Sequence, residues 1–392
     1  MLPPHWDVVP LRRVLRQLNR PVIEGDNVIT AYRDGQVTLR SKRREDGYTF
    51  SDTEHGYQGV ESGDLVVHAL DAFAGAVGVS DSRGKCSPVY HVCGARLRDD
   101  LRFVAYALRA MAFNGFLALQ AGNVRQRSVD FRTWDTFASV PLARPPSEEQ
   151  SRLSDYLDAE TARVDALIEK KRRLRELLDE RRRALIADLV SSAGQVVAIR
   201  RVFRVVNGGT PTSDEANWQG EVMWATPVDL AGVDGGRIVS TARTLTREGL
   251  HSGSAAVPAG SIVLSTRAPI GYVVETTSEL AFNQGCRGLV PRAEVDVRYF
   301  RYQLLARRPD LVALGLGSTF AELSSDALAS VKVAYPSLRV QRELADQLDA
   351  QTARIDALIR KTGQVIDRLT ERRQALITAA VTGEPDLAKA AV

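Results

Sequence analysis

Asp158-Ala159-Glu160-Thr161-Ala162-Arg163-Val164-Asp165-Ala166-Leu167-Ile168 returns 191 residues later, without a gap, as Asp349-Ala350-Gln351-Thr352-Ala353-Arg354-Ile355-Asp356-Ala357-Leu358-Ile359. Glu180-Arg181-Arg182-Arg183-Ala184-Leu185-Ile186 returns in the same way as Glu371-Arg372-Arg373-Gln374-Ala375-Leu376-Ile377. Between residues 150–190 and 341–381, 22 of 41 positions are identical, so this segment is an internal duplication. Periodicity predicts that both copies are long helices. Leu153, Leu157, Val164, Leu167, Leu174, Leu178 and Leu185 fall on the a and d positions of a heptad, and Leu344, Leu348, Ile355, Leu358, Val365, Leu369 and Leu376 match them. Only Gly363 weakens the second copy. Polar residues enter the predicted seam at equivalent places, Glu160 with Gln351, Lys171 with Thr362, and Arg181 with Arg372. At about 1.5 Å per residue such a helix reaches roughly 60 Å, farther than one globular domain.

The flanking signals fix where these helices begin and end. Pro145-Pro146-Ser147-Glu148-Glu149 supplies proline punctuation, a serine N-cap and early acids, and Pro336-Ser337 does so for the second copy. Ser191-Ser192-Ala193-Gly194 and Thr382-Gly383-Glu384-Pro385 are the expected stops. The chain therefore reads as a globule over 1–146, a helix over 147–193, a second globule over 194–336, a second helix over 337–384 and a tail over 385–392. Each globule has short β-rich runs, such as Gly63-Asp64-Leu65-Val66-Val67 and Gly260-Ser261-Ile262-Val263-Leu264. Each also has one helix near its end, at Leu101 to Ala112 and Val297 to Ala306. The expected class is α+β.

Composition narrows the function. A chain of 392 residues with 44% hydrophobic and 26% charged residues has enough apolar side chain for several cores, which excludes general disorder. No run approaches the roughly 18 apolar residues a membrane span needs, and Met1 to Arg20 lacks a signal-peptide core, so the expectation is a cytoplasmic protein with no membrane partner. Cys86, Cys93 and Cys286 form no Cys-x-x-Cys pair and are read as reduced. The net charge of +4 permits a polyanion partner without demanding one. Of 52 basic residues only seven are lysine; codon bias in a GC-rich genome explains that more simply than selection for phosphate contact does.

The common catalytic constellations are missing from the sequence. It has no Gly-x4-Gly-Lys-Ser/Thr loop, no dinucleotide fingerprint and no Asn-Pro-Pro-Tyr segment, so no catalytic residue is assigned and the chain is read as a non-enzyme. His91-Val92-Cys93 is read as a buried strand and not as a metal pair, and no metal ligand is assigned. Asn207-Gly208-Gly209-Thr210-Pro211 reads first as a turn and second as an anion-binding nest. Candidates for DNA contact are the polar and basic loop residues. They are Lys42, Arg43 and Arg44 in one charged run, Arg125 and Arg127, Thr210, Thr266 with Arg267 after one strand, Asn283 with Gln284 after another, and Ser318 with Thr319. The charged run reads equally as a solvated surface, and for Thr266, Arg267, Asn283 and Gln284 taken singly structural hydrogen bonding is the simpler reading. Trp134, Trp218 and Trp224 are read as core.

The whole arrangement resembles the specificity subunit of type I restriction-modification systems. In the second globule the similarity rests on Gly208-Gly209-Thr210-Pro211, Trp218 with Gly220, Trp224, Asp229-Leu230, Leu245-Thr246-Arg247-Glu248-Gly249-Leu250, Pro258 with Gly260, Asn283-Gln284-Gly285 and Gly317-Ser318-Thr319-Phe320. Pro145-Pro146 with Glu149-Gln150, and Tyr335-Pro336 with Gln341, look like that family's entry into its spacer helices. The first globule matches more loosely, through Trp6-Asp7-Val8-Val9-Pro10-Leu11, Gly63-Asp64-Leu65 and Cys86-Ser87-Pro88.

The resemblance implies two target recognition domains, each reading half of a split site on double-stranded DNA, joined by an antiparallel helix pair with pseudo-twofold symmetry. It also implies partners: methyltransferase subunits that bring S-adenosylmethionine, and restriction-translocase subunits that bring ATP and Mg, with no cofactor in this chain. Two rival readings follow from the same residues, a free-standing two-headed DNA-binding architectural protein and a coiled-coil scaffold for proteins.

Overall fold

The computed structural model describes residues 2–43, 55–120, 124–125, 128–191, 194–315 and 322–384. They form mixed helix and sheet, an α+β arrangement, in two compact units. Compactness groups the segments differently from their linear order. One unit is Met1–Lys171 with Gln364–Val392, and the other is Arg172–Gly363, so each contains one globule and part of both long helices.

In the first unit the strands Leu15–Leu18, Tyr90–Ala95, Leu65–His68 and Val77–Val79 lie side by side in that order, all antiparallel. Helix α1 (Leu101–Phe113) buries Phe103, Val104, Tyr106 and Leu108 in the adjoining core with Leu11, Val14 and Leu65. The strand Asp7–Pro10 pairs antiparallel with Pro141–Arg144 and joins the beginning of the globule to its end. The first long helix, α2 (Ser147–Ser191), then leaves, and Leu153 and Leu157 from it enter the same core.

The second unit repeats this plan. The strands Phe203–Asn207, Cys286–Pro291, Ile262–Ser265 and Val273–Thr276 are antiparallel neighbours in the same order, extended by Arg237–Ile238. Helix α3 (Val297–Ala306) buries Tyr299, Phe300 and Leu304. Gln195–Ala198 pairs with Lys332–Tyr335, after which the second long helix, α4 (Leu338–Val381), begins. A separate four-stranded sheet, ordered Arg243–Leu245, Trp218–Ala225, Leu280–Phe282 and Ala255–Val257, is, among the described residues, particular to this globule.

Each globule is fastened to its helices by the same polar contacts. In the first unit Gln150 is 1% exposed; its Oε1 accepts the Asp100 amide at 2.9 Å and its Nε2 donates to the Pro145 carbonyl at 2.9 Å. Arg102 donates to Asp155 and Asp158, and the Tyr106 hydroxyl donates to Asp158 at 2.7 Å, beside Thr161. In the second unit Gln341 binds the Asp296 amide and the Pro336 carbonyl, Arg298 binds Asp346 and Asp349, and Tyr302 donates to Asp349 beside Thr352. Asp100 and Asp296 also cap α1 and α3. Burial pushes the Tyr106 phenol up to about 12, and burial raises Tyr302 as well, so both stay protonated as donors.

The helices run antiparallel within each unit. In the first, Asp165 meets Arg373 at 2.8 Å while Leu153 and Leu157 share a core with Ile377, Ala380 and Val381. In the second, Asp356 meets Arg182 at 2.9 Å while Ile186 and Val190 share a core with Ala345 and Leu348. The end of α4 also returns to the chain start. Gly383 terminates it at φ 72°, and an added Cβ there would stand 2.4 Å from Pro3.

Burial corrects part of the predicted seam. Leu157, Val164, Leu348 and Ile355 are buried, and Leu178, Leu185, Leu369 and Leu376 are half-buried. Leu167, Leu174, Leu358 and Val365 are instead 42%, 40%, 50% and 38% exposed. Their row is displaced by one residue, to Ser154, Thr161 and Ile168 on α2 and to Ala345 and Thr352 on α4. The physical reason is that a helical threonine can bury its hydroxyl by donating it to the preceding turn. Thr161 bonds the Leu157 carbonyl at 2.6 Å and Thr352 the Leu348 carbonyl at 2.7 Å, so neither hydroxyl needs water. A count of large apolar residues alone passes over these small ones.

Replacing either glutamine removes one side chain that satisfies two backbone groups. Gln150→Ala and Gln341→Ala are each expected to destabilise the chain by about 1–3 kcal/mol. Exposed Glu148→Ala should stay within about 0.5 kcal/mol. Chemical denaturation of the three variants checks this.

Candidate nucleic-acid interface

In the second globule, loops that follow the strands Phe203–Asn207, Ile262–Ser265 and Leu280–Phe282 come together and collect most of the candidates there. Close backbone approach demands glycine at their contact, since a Cβ on Gly208 would lie 2.0 Å from the Asn283 carbonyl oxygen. The Gly209–Thr212 stretch is held from beneath by two indoles. Trp224 Nε1 donates to the Gly209 carbonyl at 3.1 Å and Trp218 Nε1 to the Thr212 carbonyl at 2.9 Å. The loop is therefore a fixed platform. Thr210 on it donates to Gln284 Oε1 at 2.5 Å, so these two candidates form one exposed polar pair.

The neighbouring candidates have other roles. Thr266 is fully buried and its hydroxyl donates to the Gly285 carbonyl at 3.2 Å, so it is a structural residue and not a DNA contact. Asn283 turns its Oδ1 back to the Gly285 amide at 3.0 Å, which shapes the loop and leaves that oxygen committed. Arg267 is half-exposed and ion-paired with Glu322 at 3.1 Å, and Glu322 is shared with Arg287. Ser318 and Thr319 lie outside the described residues.

In the first globule an open cleft is lined by Tyr32, Arg33, Arg40, Arg43, Tyr57 and Tyr90. Arg43 lies over the Tyr32 ring at 4.1 Å and binds Asp34 and Gln36. Burial raises the Asp34 carboxyl, but the hydrogen bonds from Arg43 and the Gln36 amide more than offset this and hold it below its ordinary value. Lys42 donates to Ser82 at 2.7 Å and lies 3.6 Å from Asp81, so it is tethered to its own surface. Arg44 and Arg127 lie outside the described residues, and Arg125 is placed on the short strand Val124–Arg125.

His91 belongs to the core, as read from the sequence. Its Nε2 meets the Phe131 carbonyl at 2.6 Å, its ring stacks on Phe137, and burial lowers its pKa. The three cysteines are free and buried, and burial pushes Cys86 up to about 12. Trp134 packs against His91 and Phe137.

Sequence reasoning missed Arg243. Its guanidinium carbon stands 3.4 Å from the Trp218 ring centroid and 5.6 Å from that of Trp224. The two indoles meet edge to face at 5.0 Å. No spacing rule links residue 218 to residue 243, because strand pairing brings them together.

Comparison with known proteins places this geometry in context. Residues 193–368 match the type I restriction modification DNA specificity domain. Over 157 residues it is 34% identical to the type I restriction enzyme MjaIX specificity subunit of Methanocaldococcus jannaschii, covering 39% of this chain and 36% of that protein. Over 282 residues it is 24% identical to the putative type I restriction enzyme MjaX specificity subunit of the same organism, covering 67% and 62%. The chain thus matches less than two thirds of the length of these curated relatives. Its fold is similar to a chain solved in work on complex assembly and conformational transition of the type I R-M system, with TM-score 0.77, 18% identity and coverage of 98% and 99%. It is also similar to the HsdS subunit from Thermoanaerobacter tengcongensis, with TM-score 0.53, 18% identity and 98% of each chain covered.

The contrast between platform and pair can be tested. Gly208→Ala forces a Cβ into the Asn283 carbonyl and should destabilise the chain by about 1–3 kcal/mol, measured by thermal unfolding. Thr210→Ala and Gln284→Ala should leave the unfolding temperature nearly unchanged, because the pair they break is exposed.

Proposed function

We propose that this chain, which matches a type I restriction modification DNA specificity domain, reads a bipartite site on duplex DNA with one globule per half. In this reading the helix pair holds the globules at a set spacing and docks the methyltransferase and restriction subunits. The observation that carries it is the duplicated clamp. Gln150, Arg102, Tyr106 and Asp158 recur as Gln341, Arg298, Tyr302 and Asp349 with the same hydrogen-bonding roles. A frame kept constant under loops that differ is what two readers of different sequences require.

Affinity would come from phosphate contacts and specificity from base edges met by loop side chains such as Thr210 and Gln284. The unread spacer would contribute geometry alone. The exposed row Leu167, Leu174, Leu358 and Val365 supports partner docking, since it repeats every seven residues at equivalent places on both helices. Target methylation needs the base removed from the stack, a step that falls to the methyltransferase subunit with its S-adenosylmethionine. ATP and Mg belong to the restriction subunit. This chain selects the place.

Lengthening the helix pair tests the reading. One added turn in each long helix, near Lys171 and near Thr362, moves the globules apart by up to about 5.4 Å. Against a rise of about 3.4 Å per base pair, the unread spacer should grow by about one or two base pairs, with both half-sites unchanged. Methylome sequencing of cells carrying the variant and its methyltransferase subunit reads this out directly. A folded, active variant with an unaltered spacer sinks the ruler, and a wild-type chain that directs no split methylated motif sinks the function.

A further inference from the structure

We propose that Arg243 is a DNA-phosphate contact of the second globule, presented by the Trp218 and Trp224 indoles. The proposal rests on the DNA-reading function above and assigns one side chain within it.

Three observations carry it. First, the guanidinium is stacked on an indole face at 3.4 Å, close enough for van der Waals and cation–π attraction to hold its plane. Second, Arg243 is exposed, and among the described residues no carboxylate pairs with it. Its neighbours differ in this. Arg247 is shared between Glu221 and Glu279, and Arg267 and Arg287 both bind Glu322. Asp229, which meets the start of the same strand, spends its carboxylate on the Thr226 hydroxyl and amide and on the Ala242 amide. Third, the indoles that hold Arg243 are the ones that anchor the Gly209–Thr212 platform, so the charge is fixed relative to the Thr210–Gln284 pair.

A rigid, uncompensated cation beside a polar loop platform fits a polyanion. Phosphate is favoured over a base edge for a geometric reason. Stacking fixes the plane of the guanidinium but leaves its rotation within that plane open, and no acceptor among the described residues sets it. A phosphate accepts from many directions, whereas bidentate reading of a guanine edge needs one orientation. Holding the arginine against the ring also reduces the side-chain freedom lost on binding.

The test uses the full chain assembled with its methyltransferase subunit and a short duplex DNA of mixed sequence, titrated across a salt series. Arg243→Gln should weaken binding to the same degree on every sequence and make the log-log salt slope shallower by about 0.9, the signature of one lost phosphate contact. Arg243→Lys should restore the slope while binding less tightly than the wild type, because an ammonium keeps the charge without the planar stack. Arg243→Met keeps an unbranched stem over the indoles without the charge and should flatten the slope by the same amount, which serves as a second variant should Arg243→Gln fold poorly. The methylated motif in the host should be the same for all three.

Wild-type slope and affinity in Arg243→Gln overturn the contact. Loss confined to one base pair of the second half-site overturns the phosphate assignment in favour of base reading. A wild-type complex with a flat salt response overturns the DNA-reading function itself and this contact with it, so the two failures are distinguishable.

Discussion

The structure depends on how a globule is joined to a helix that continues far beyond it. A long helix leaving a small domain is a lever, and a joint made only of apolar contacts slides easily because hydrophobic attraction has no direction. Here the joint is directional. Gln150 and Gln341 are buried and bridge the cap of one helix to the carbonyl that precedes another. Around them Arg102 and Arg298 gather carboxylates from two elements, and hydrogen bonding to those acids outweighs the cost of burial and holds the guanidinium charge in place. Each donor in the clamp has a fixed acceptor, and a shift in register would leave buried groups unpaired.

The two clamps also show what the duplication tolerated. The long helices repeat at an offset of 191, whereas the arginine and tyrosine that meet them repeat at 196, from Arg102 to Arg298 and from Tyr106 to Tyr302. The globules have therefore changed length between their conserved ends while the contacts at the joint survived. Within the second globule a further four-stranded sheet carries Trp218, Trp224 and Arg243, and the loop platform rests on it. Constancy between the two units is seen where buried polar groups must be paired.

Particular residues show how much of the candidate site was legible. Thr210 and Gln284, far apart in the sequence, were both recognisable as polar loop residues after strands, and they do meet. Thr266 and Asn283 had the same appearance but serve the backbone, because a hydroxyl or amide beside a tight turn is captured by the nearest unpaired carbonyl or amide. Arg43 was selected for its charge, and that charge is held by Asp34. Residue type signals chemistry, but only the local partner shows whether that chemistry is still available.

The sequence alone determined the internal repeat, the two long helices and the α+β class, because each is written in local periodicity, capping residues and self-similarity. Tertiary structure decided which helix face is buried. Leu167 and Leu358 look like seam residues, yet Thr161 and Thr352 take the buried row, since a helix can satisfy their hydroxyls internally and each is met by a tyrosine of its own globule, Tyr106 or Tyr302. It likewise decided that Arg243 stands on Trp218, a contact made by pairing between strands that are distant in the chain. Local patterns are set by neighbours along the chain, whereas the partners of a buried hydroxyl or a stacked cation are set by neighbours in space.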